Sequence, residues 1–184
     1  MDYFISDLHI GHDKEFLWGK RGFKSIEEHD TQILLTWNSI VSPEDTVYIL
    51  GDLCMGRDEK EWNRIFKNLN GYKNVIYGNH DTVTKLSKYV NEYGMHLLGY
   101  ADMYTFKKMK FYLSHYPTMT GNYQEQKHPV WNLSGHTHSK NKFENGQYNV
   151  YNVAADAHDC KPVSIERILK DIKQYMQINQ REVL

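Results

Sequence analysis

The sequence is poor in cysteine and proline, with 2 and 4 of them in 184 residues, and it carries almost no net charge. Each shortage excludes something. Cys54 and Cys160 lie far apart and are too few for a disulfide framework, so a reducing cytoplasm is the expected compartment. No stretch approaches the roughly 20 apolar residues of a membrane-spanning helix. The opening MDYFISD has neither the basic region nor the apolar segment of a signal peptide. Lys and Arg total 22 against 23 Asp and Glu, a formal net charge of −1. No whole-molecule field therefore draws in long duplex nucleic acid or an anionic membrane. The length is that expected of one domain, 1–184, with a real core. Against these shortages stand 10 histidines, beside 14 tyrosines and 4 tryptophans. The histidine excess is the first chemical clue.

The hydrophobic pattern predicts an α/β chain. Tyr3 to Ile5 reads as a short buried strand. SIEEHDTQILLTWNSIV reads as a helix, with Ser25 and Glu28 in capping-box spacing and Ile26, Ile33, Leu34, Trp37, Ile40 and Val41 near helical period. DTVYILGD is a second strand ending in a glycine turn. Asp58 to Leu69 is a second helix with Asp58 as N-cap, stopped by Asn70–Gly71, and KNVIYGNHD is a third strand and its loop. Further on, HLLGYADMYTFKKMKFYLSHYP predicts two strands around KKMK. VWNLSGHTH and QYNVYNVAAD predict two more, with ENG as the turn between them. A final amphipathic helix is expected over 164–176.

Candidate ligands recur in one context. Asp7 and His9 follow the first strand, Asp52 the second, Asn79, His80 and Asp81 the third, His115 a later one, and His136 and His138 another. In α/β sheets, sites are assembled from the loops at the carboxyl ends of strands, so these loops can converge on one spot. Imidazole and carboxylate without thiolate suit Mn²⁺, Fe²⁺, Co²⁺, Ni²⁺ or Zn²⁺ and argue against a cysteine-based structural zinc site. Asp7, His9, Asp52, Asn79, His115, His136 and His138 are more donors than one tetrahedral site needs. With Asp52 bridging they divide between two metals, the arrangement used for phosphoryl chemistry. His136 and His138 alternate along an extended segment and so share a side. Gly51, Gly78 and Gly135 permit close backbone approach.

The ordered series DLH, GD, GNHD, H and GHTH resembles the calcineurin-like metallophosphoesterase superfamily, over residues 7–138. FISDLHIGH…RGF…DTVYILGD…YGNHD…LSHYP…GHTH is similar to the small single-domain phosphoesterases of bacteria and phages, with Gly22 where that group has proline. The resemblance implies a four-layer fold: a two-sheet β-sandwich flanked by helices. It implies one metal held by Asp7, His9, Asp52 and His138, and a second held by Asp52, Asn79, His115 and His136. Mn²⁺ is the first expectation. The implied activity is phosphoester hydrolysis by a metal-bridging hydroxide, a phosphodiesterase acting on a small diester or nucleotide ahead of a phosphomonoesterase or small nuclease. His80 is implied as the catalytic histidine facing the phosphate, with Asp81 orienting it. A non-catalytic binding module on this fold is the competing class, and such scaffolds lose the histidine retained here as His80.

The remaining residues are weighed singly. His12 and Arg21 are candidate substrate contacts at the edge of the site, each with an ordinary loop role as its rival. His29 and His96 read as structural, His128 and His158 as rim residues, and Asp156 as a turn cap ahead of a partner for a ligand. MTGNYQEQKHPVW is expected to form the specificity wall, with Tyr123 and Trp131 facing substrate. The sequence leaves the oligomeric state open.

Overall fold

The strand runs near the start are apolar without alternation, and the structure shows why. In β1 (Asp2–Ile5), β2 (Thr46–Leu50) and β3 (Tyr72–Ile76), Tyr3, Ile5, Val47, Ile49 and Val75 join one core cluster while Phe4, Leu50 and Ile76 join another. Successive side chains point to opposite faces, and here both faces are covered. The computed structural model describes residues 1–56, 58–120, 129–143 and 149–178.

Five strands make the first sheet, ordered β4-β3-β2-β1-β9, with β4 at His96–Gly99 and β9 at Val163–Ser164. Strands β1 to β4 are parallel and β9 is antiparallel to β1. Four strands make the second sheet: β5 (Ala101–Phe106), β6 (Met109–Ser114), β7 (Trp131–Ser134) and β8 (Val150–Asn152). β5 and β6 form a hairpin, while β6, β7 and β8 run parallel. The result is two mixed sheets flanked by helices.

The outer helices bury the first cluster. α2 (Ile26–Ile40) contributes Ile33 and Trp37, α3 (Glu59–Phe66) contributes Trp62, Ile65 and Phe66, and α4 (Val83–Asn91) contributes Leu86 and Tyr89. Ser25 caps α2 by accepting from the Glu28 amide. Glu28 reaches back to the Lys24 amide, one residue earlier than a standard capping box. Asp58 caps α3 through the Lys60 and Glu61 amides. The second cluster fills the space between the sheets with Phe4, Tyr104, Phe111, Leu113, Leu133 and Tyr151. α5 (Ile165–Ile178) adds Ile165, Ile168, Ile172 and Met176 to it.

Three expectations change. The segment 96–114 holds three strands rather than two, because Gly99, at φ 88°, lets the chain leave β4 in one sheet and begin β5 in the other. The hairpin turn is Lys107–Lys108, both at positive φ, so that Phe106 faces Met109. Helix α4 and the short α1 (Glu15–Trp18) were not expected. α4 begins at Thr82, whose side chain accepts from the Lys85 amide. The ENG turn at 144–146 lies outside the described residues.

One buried carboxylate ties α5 to the second sheet. Asp171 accepts from the Tyr151 hydroxyl at 2.8 Å, from Lys142 Nζ at 2.7 Å and from Arg167 Nε at 2.8 Å. Burial pushes its pKa up, but the hydrogen bonds from Lys142, Tyr151 and Arg167 outweigh that and leave it below the ordinary value. A depressed folded pKa stabilises above the unfolded value of about 3.9 and is lost as pH falls through the folded one. Asp171→Ala is expected to cost about 1–3 kcal/mol in urea unfolding at pH 7, because the buried Tyr151 hydroxyl loses its acceptor. The gap between wild type and Asp171→Asn should hold above pH ~4 and close below it.

Candidate metal centre

Backbone pairing continues past the ends of β1 and β2 and draws their loops together. Asp7 N donates to Gly51 O at 3.1 Å, His9 N to Asp52 O at 3.0 Å and Ile10 N to Leu53 O at 3.0 Å. This register carries Asp7, His9 and Asp52 to one rim in left-handed conformations, at φ 57°, 53° and 54°. His136 and His138, beyond β7, share that geometry at φ 70° and 52°. Half of the ten non-glycine residues at positive φ among the described residues are therefore predicted ligands. Such strain concentrates at functional sites and persists only where the surroundings enforce it.

Glycines give these side chains their room. A Cβ at Gly78 would overlap the Asp52 carboxylate and the Asp52 amide nitrogen, and one at Gly135 would overlap Asp7 Oδ2 and the Ser6 side chain. At Gly51 it would lie 2.6 Å from His115 Nδ1. Alanine is too large at each.

The donor atoms fall into two groups joined by one oxygen. His9 Nε2 and His138 Nε2 are 3.1 Å apart, and Asp7 Oδ1 is 3.9 and 3.8 Å from them. Asn79 Oδ1 is 2.8 Å from His115 Nε2 and 3.0 Å from His136 Nδ1, and those two nitrogens are 3.2 Å apart. Asp52 Oδ2 lies between, 3.8 Å from His9 Nε2 and 3.5 Å from His115 Nε2. Donors about 2.1 Å from a shared cation, at tetrahedral to octahedral angles, stand roughly 3.0–3.4 Å apart; the imidazole and Asn79 contacts, at 2.8–3.2 Å, are near that, and the carboxylate contacts, at 3.5–3.9 Å, are longer.

The chemistry of the donors fits divalent cations. Asp7, His9 and His138 form one group able to hold an ion, and Asp7, Asp52 and His115 another. Asp7 Oδ1 is buried with no hydrogen-bond partner among the described residues. Burial raises the Asp7 carboxyl above its ordinary pKa. Burial, with His138 beside it, holds the His9 imidazole down at about 2. A buried acceptor without a donor is costly, and a cation relieves that cost. His115 Nδ1 donates to Leu50 O at 2.9 Å and His138 Nδ1 to Asp156 Oδ2 at 2.9 Å, so both present an Nε2 lone pair to the cluster. Neither cysteine takes part: both thiols are buried, and burial pushes Cys54 to about 12 and Cys160 to about 11.

His80 stands at the open side. Its side chain is 44% exposed, with Nε2 4.0 Å from Asp52 Oδ2. Its amide donates to Asp52 Oδ1 at 2.8 Å, which couples its placement to the shared carboxylate. His12 sits at the edge, with its ring 5.8 Å from His9 and 5.4 Å from the exposed Phe16. On the other side the half-exposed Tyr116 packs on His136 at 4.5 Å.

Several expected roles are corrected. Asp81 has both carboxylate oxygens engaged away from the His80 ring. Its Oδ2 accepts from the Asp52 amide at 2.8 Å and the Gly78 amide at 2.9 Å, and Tyr89 donates to its Oδ1 at 3.1 Å. It organises the loop backbones because it points into the core, where those amides need an acceptor. Arg21 is no free phosphate contact. Its side chain is 2% exposed, and Asp156, the Asp7 and Leu8 carbonyls and His29 take up its guanidinium. Asp156 is correspondingly a partner of Arg21 and His138 rather than a mere turn cap. Trp131 lies in the core between the sheets at 1% exposure and cannot be a substrate wall. Tyr123 and His128 lie outside the described residues. His158 is not at this rim: its Nε2 donates to Asn152 O, and it lines a cavity of about 470 Å³ with Met1, Tyr3 and Lys161. His29 is structural, fully buried and bonded to Asp30 at 2.7 Å. The buried network from Asp30 to Asp156 was missed, although the RGF segment was its one legible signal.

Comparison with known proteins agrees with this fold. The model of the calcineurin-like phosphoesterase family matches residues 3–173. The uncharacterised protein MJ1445 of Methanocaldococcus jannaschii is 31% identical, covering 94% of this chain and 91% of its own. The gene 66 protein of Mycobacterium phage L5 is 29% identical, covering 74% and 77%. Among solved structures, a protein of unknown function from Aquifex aeolicus, AQ665, superposes with a TM-score of 0.70 at 27% identity, over 94% of this chain and 98% of that one. With a matching family model across most of its length and the ligand series gathered at one rim, the chain belongs to the calcineurin-like phosphoesterase family.

Proposed function

We propose that the protein is a dinuclear metal-dependent phosphoesterase that prefers a small diester or nucleotide. Asp7, His9, Asp52 and His138 would hold one divalent cation, and Asp52, Asn79, His115 and His136 the other. Mn²⁺ is the leading candidate, with Fe²⁺, Co²⁺, Ni²⁺ or Zn²⁺ as alternatives on the same donor chemistry. The observation that carries the reading is the position of Asp52 Oδ2 between the His9 and His115 imidazoles of the two donor groups. When bound, such a pair supplies a lowered water pKa and charge neutralisation for the phosphoryl group.

The chain's own residues do the rest. His80, exposed and tied through its amide to Asp52, is placed to donate a hydrogen bond to a phosphoryl oxygen or a proton to the leaving oxygen. An imidazole can serve in either role. His12 lies where it can contact substrate on the Asp7–His9 side. Asp81 holds the Asp52 and Gly78 amides and so fixes the shared ligand. A phosphomonoesterase, a small nuclease or a non-catalytic binding module are the outcomes that substrate profiling separates from this reading. Among the described residues no helix is long and apolar enough to cross a membrane.

Metal-stripped protein should hydrolyse bis(p-nitrophenyl) phosphate only after Mn²⁺ is added, and faster than p-nitrophenyl phosphate. No turnover on either compound with metal demonstrably bound would overturn the enzyme reading. His80→Ala should lower kcat by about 10²–10⁴-fold with metal content unchanged, measured by kinetics and elemental analysis in parallel. Gly78→Ala, whose Cβ would collide with the Asp52 carboxylate, should lose metal binding itself. Retention of two ions in that variant would show that Asp52 is not the bridge.

A further inference from the structure

Resting on the two-metal reading, we infer that Arg21 and Asp156 are positioning residues for one metal half alone, that of Asp7, His9 and His138. The guanidinium of Arg21 grips the first ligand loop from below. Nη2 donates to Asp7 O at 2.7 Å and Nη1 to Leu8 O at 3.1 Å, so the carbonyls on either side of the left-handed turn are fixed by one rigid fork. The same fork binds Asp156 through two parallel bonds, Nε to Oδ1 at 3.1 Å and Nη2 to Oδ2 at 2.7 Å. Asp156 Oδ2 then accepts from His138 Nδ1 at 2.9 Å and sets the imidazole that shares this half with His9.

The far end of the network is equally fixed. Arginine only donates, so Arg21 Nη1 meets an unprotonated His29 Nε2 at 3.0 Å, and His29 Nδ1 donates to Asp30 Oδ1 at 2.7 Å. Asp30 Oδ2 accepts from the Gly11 amide at 2.8 Å. A chain of buried groups, Asp30, His29, Arg21 and Asp156, thus holds the segment 7–11 at both ends, spans 135 residues of sequence between Arg21 and Asp156, and ends on His138. Among the described residues, no hydrogen bond of these four side chains goes to Asn79, His115 or His136. That half has separate supports: Leu50 O for His115, and Asp81 with Tyr89 behind the Gly78 and Asp52 amides. The two halves share Asp52, and the His136 amide donates to Asp7 Oδ2 at 2.9 Å, but the buried side chains behind them differ, so they should be separable by mutation.

The test is Mn²⁺ binding to the full chain, read by calorimetry and by electron paramagnetic resonance. Wild type is expected to take up two ions and give the signal of a coupled pair. Asp156→Asn should weaken one binding step by about 10–100-fold, the range for loss of a partner behind a metal-binding histidine, and leave the other near its wild-type value. Substoichiometric loading should then give the six-line signal of an isolated ion. Arg21→Lys keeps the buried charge but loses the fork. It should show the same one-sided loss, and it answers the question if Asp156→Asn does not fold. Circular dichroism and thermal melting check the fold of each variant. Two unchanged steps, or equal loss of both steps in a folded variant, would overturn the inference. Failure of wild type to bind two ions would instead overturn the function proposed above.

Discussion

The shared carboxylate of Asp52 is the constraint around which the rest of the site is built. One oxygen faces both donor groups and the other accepts from the His80 amide, so displacing this side chain would disturb both halves and the exposed histidine together. Its left-handed backbone is imposed rather than preferred. The Asp52 amide is held by Asp81, its carbonyl by the His9 amide, and Gly78 leaves the space the carboxylate fills. Left-handed backbone at a non-glycine residue costs on the order of 1–3 kcal/mol and survives only where such contacts over-determine it.

The sheet supplies that over-determination. Parallel pairing of β1 with β2 and of β2 with β3 places their carboxyl ends side by side, and hydrogen bonding runs on into the loops. The second sheet brings His115 from the end of β6 and His136 and His138 from beyond β7 to the same rim. Both core clusters lie below it, and their fully buried side chains, Trp37, Phe66, Phe111 and Tyr151 among them, leave the strands little freedom to shift. Stability is invested in the strands so that strain can be held at their tips.

Buried charge is treated differently from buried apolar surface. Asp30, Asp81, Asp156 and Asp171 each have several donors, and each links an element to another distant in sequence. Removing one partner from such a group strands the other, so these carboxylates make specific arrangements costly to leave even where they add little net stability. Asp7 is the exception. Its Oδ2 accepts from the His136 amide while Oδ1 has no partner among the described residues. That asymmetry suits a cation, as proposed above.

The sequence by itself determined the candidate ligand types, their order along the chain and the strand ends that carry them, because apolar runs, helical periods and the residues at strand exits are local signals. Asp7, His9, Asp52, Asn79, His115, His136 and His138 could all be named from those signals. It also determined the caps Ser25 and Asp58, whose chemistry acts within a few residues. What only the tertiary structure decided depends on contacts between distant segments. The pairing of Arg21 with Asp156 spans 135 residues, Trp131 is core rather than surface because its strand's inner face packs against the first sheet, and Asp81 turns toward backbone amides that another loop supplies. No local pattern encodes which way a charged side chain points once several strand ends meet. That direction is set by whichever unsatisfied donors the fold brings within reach.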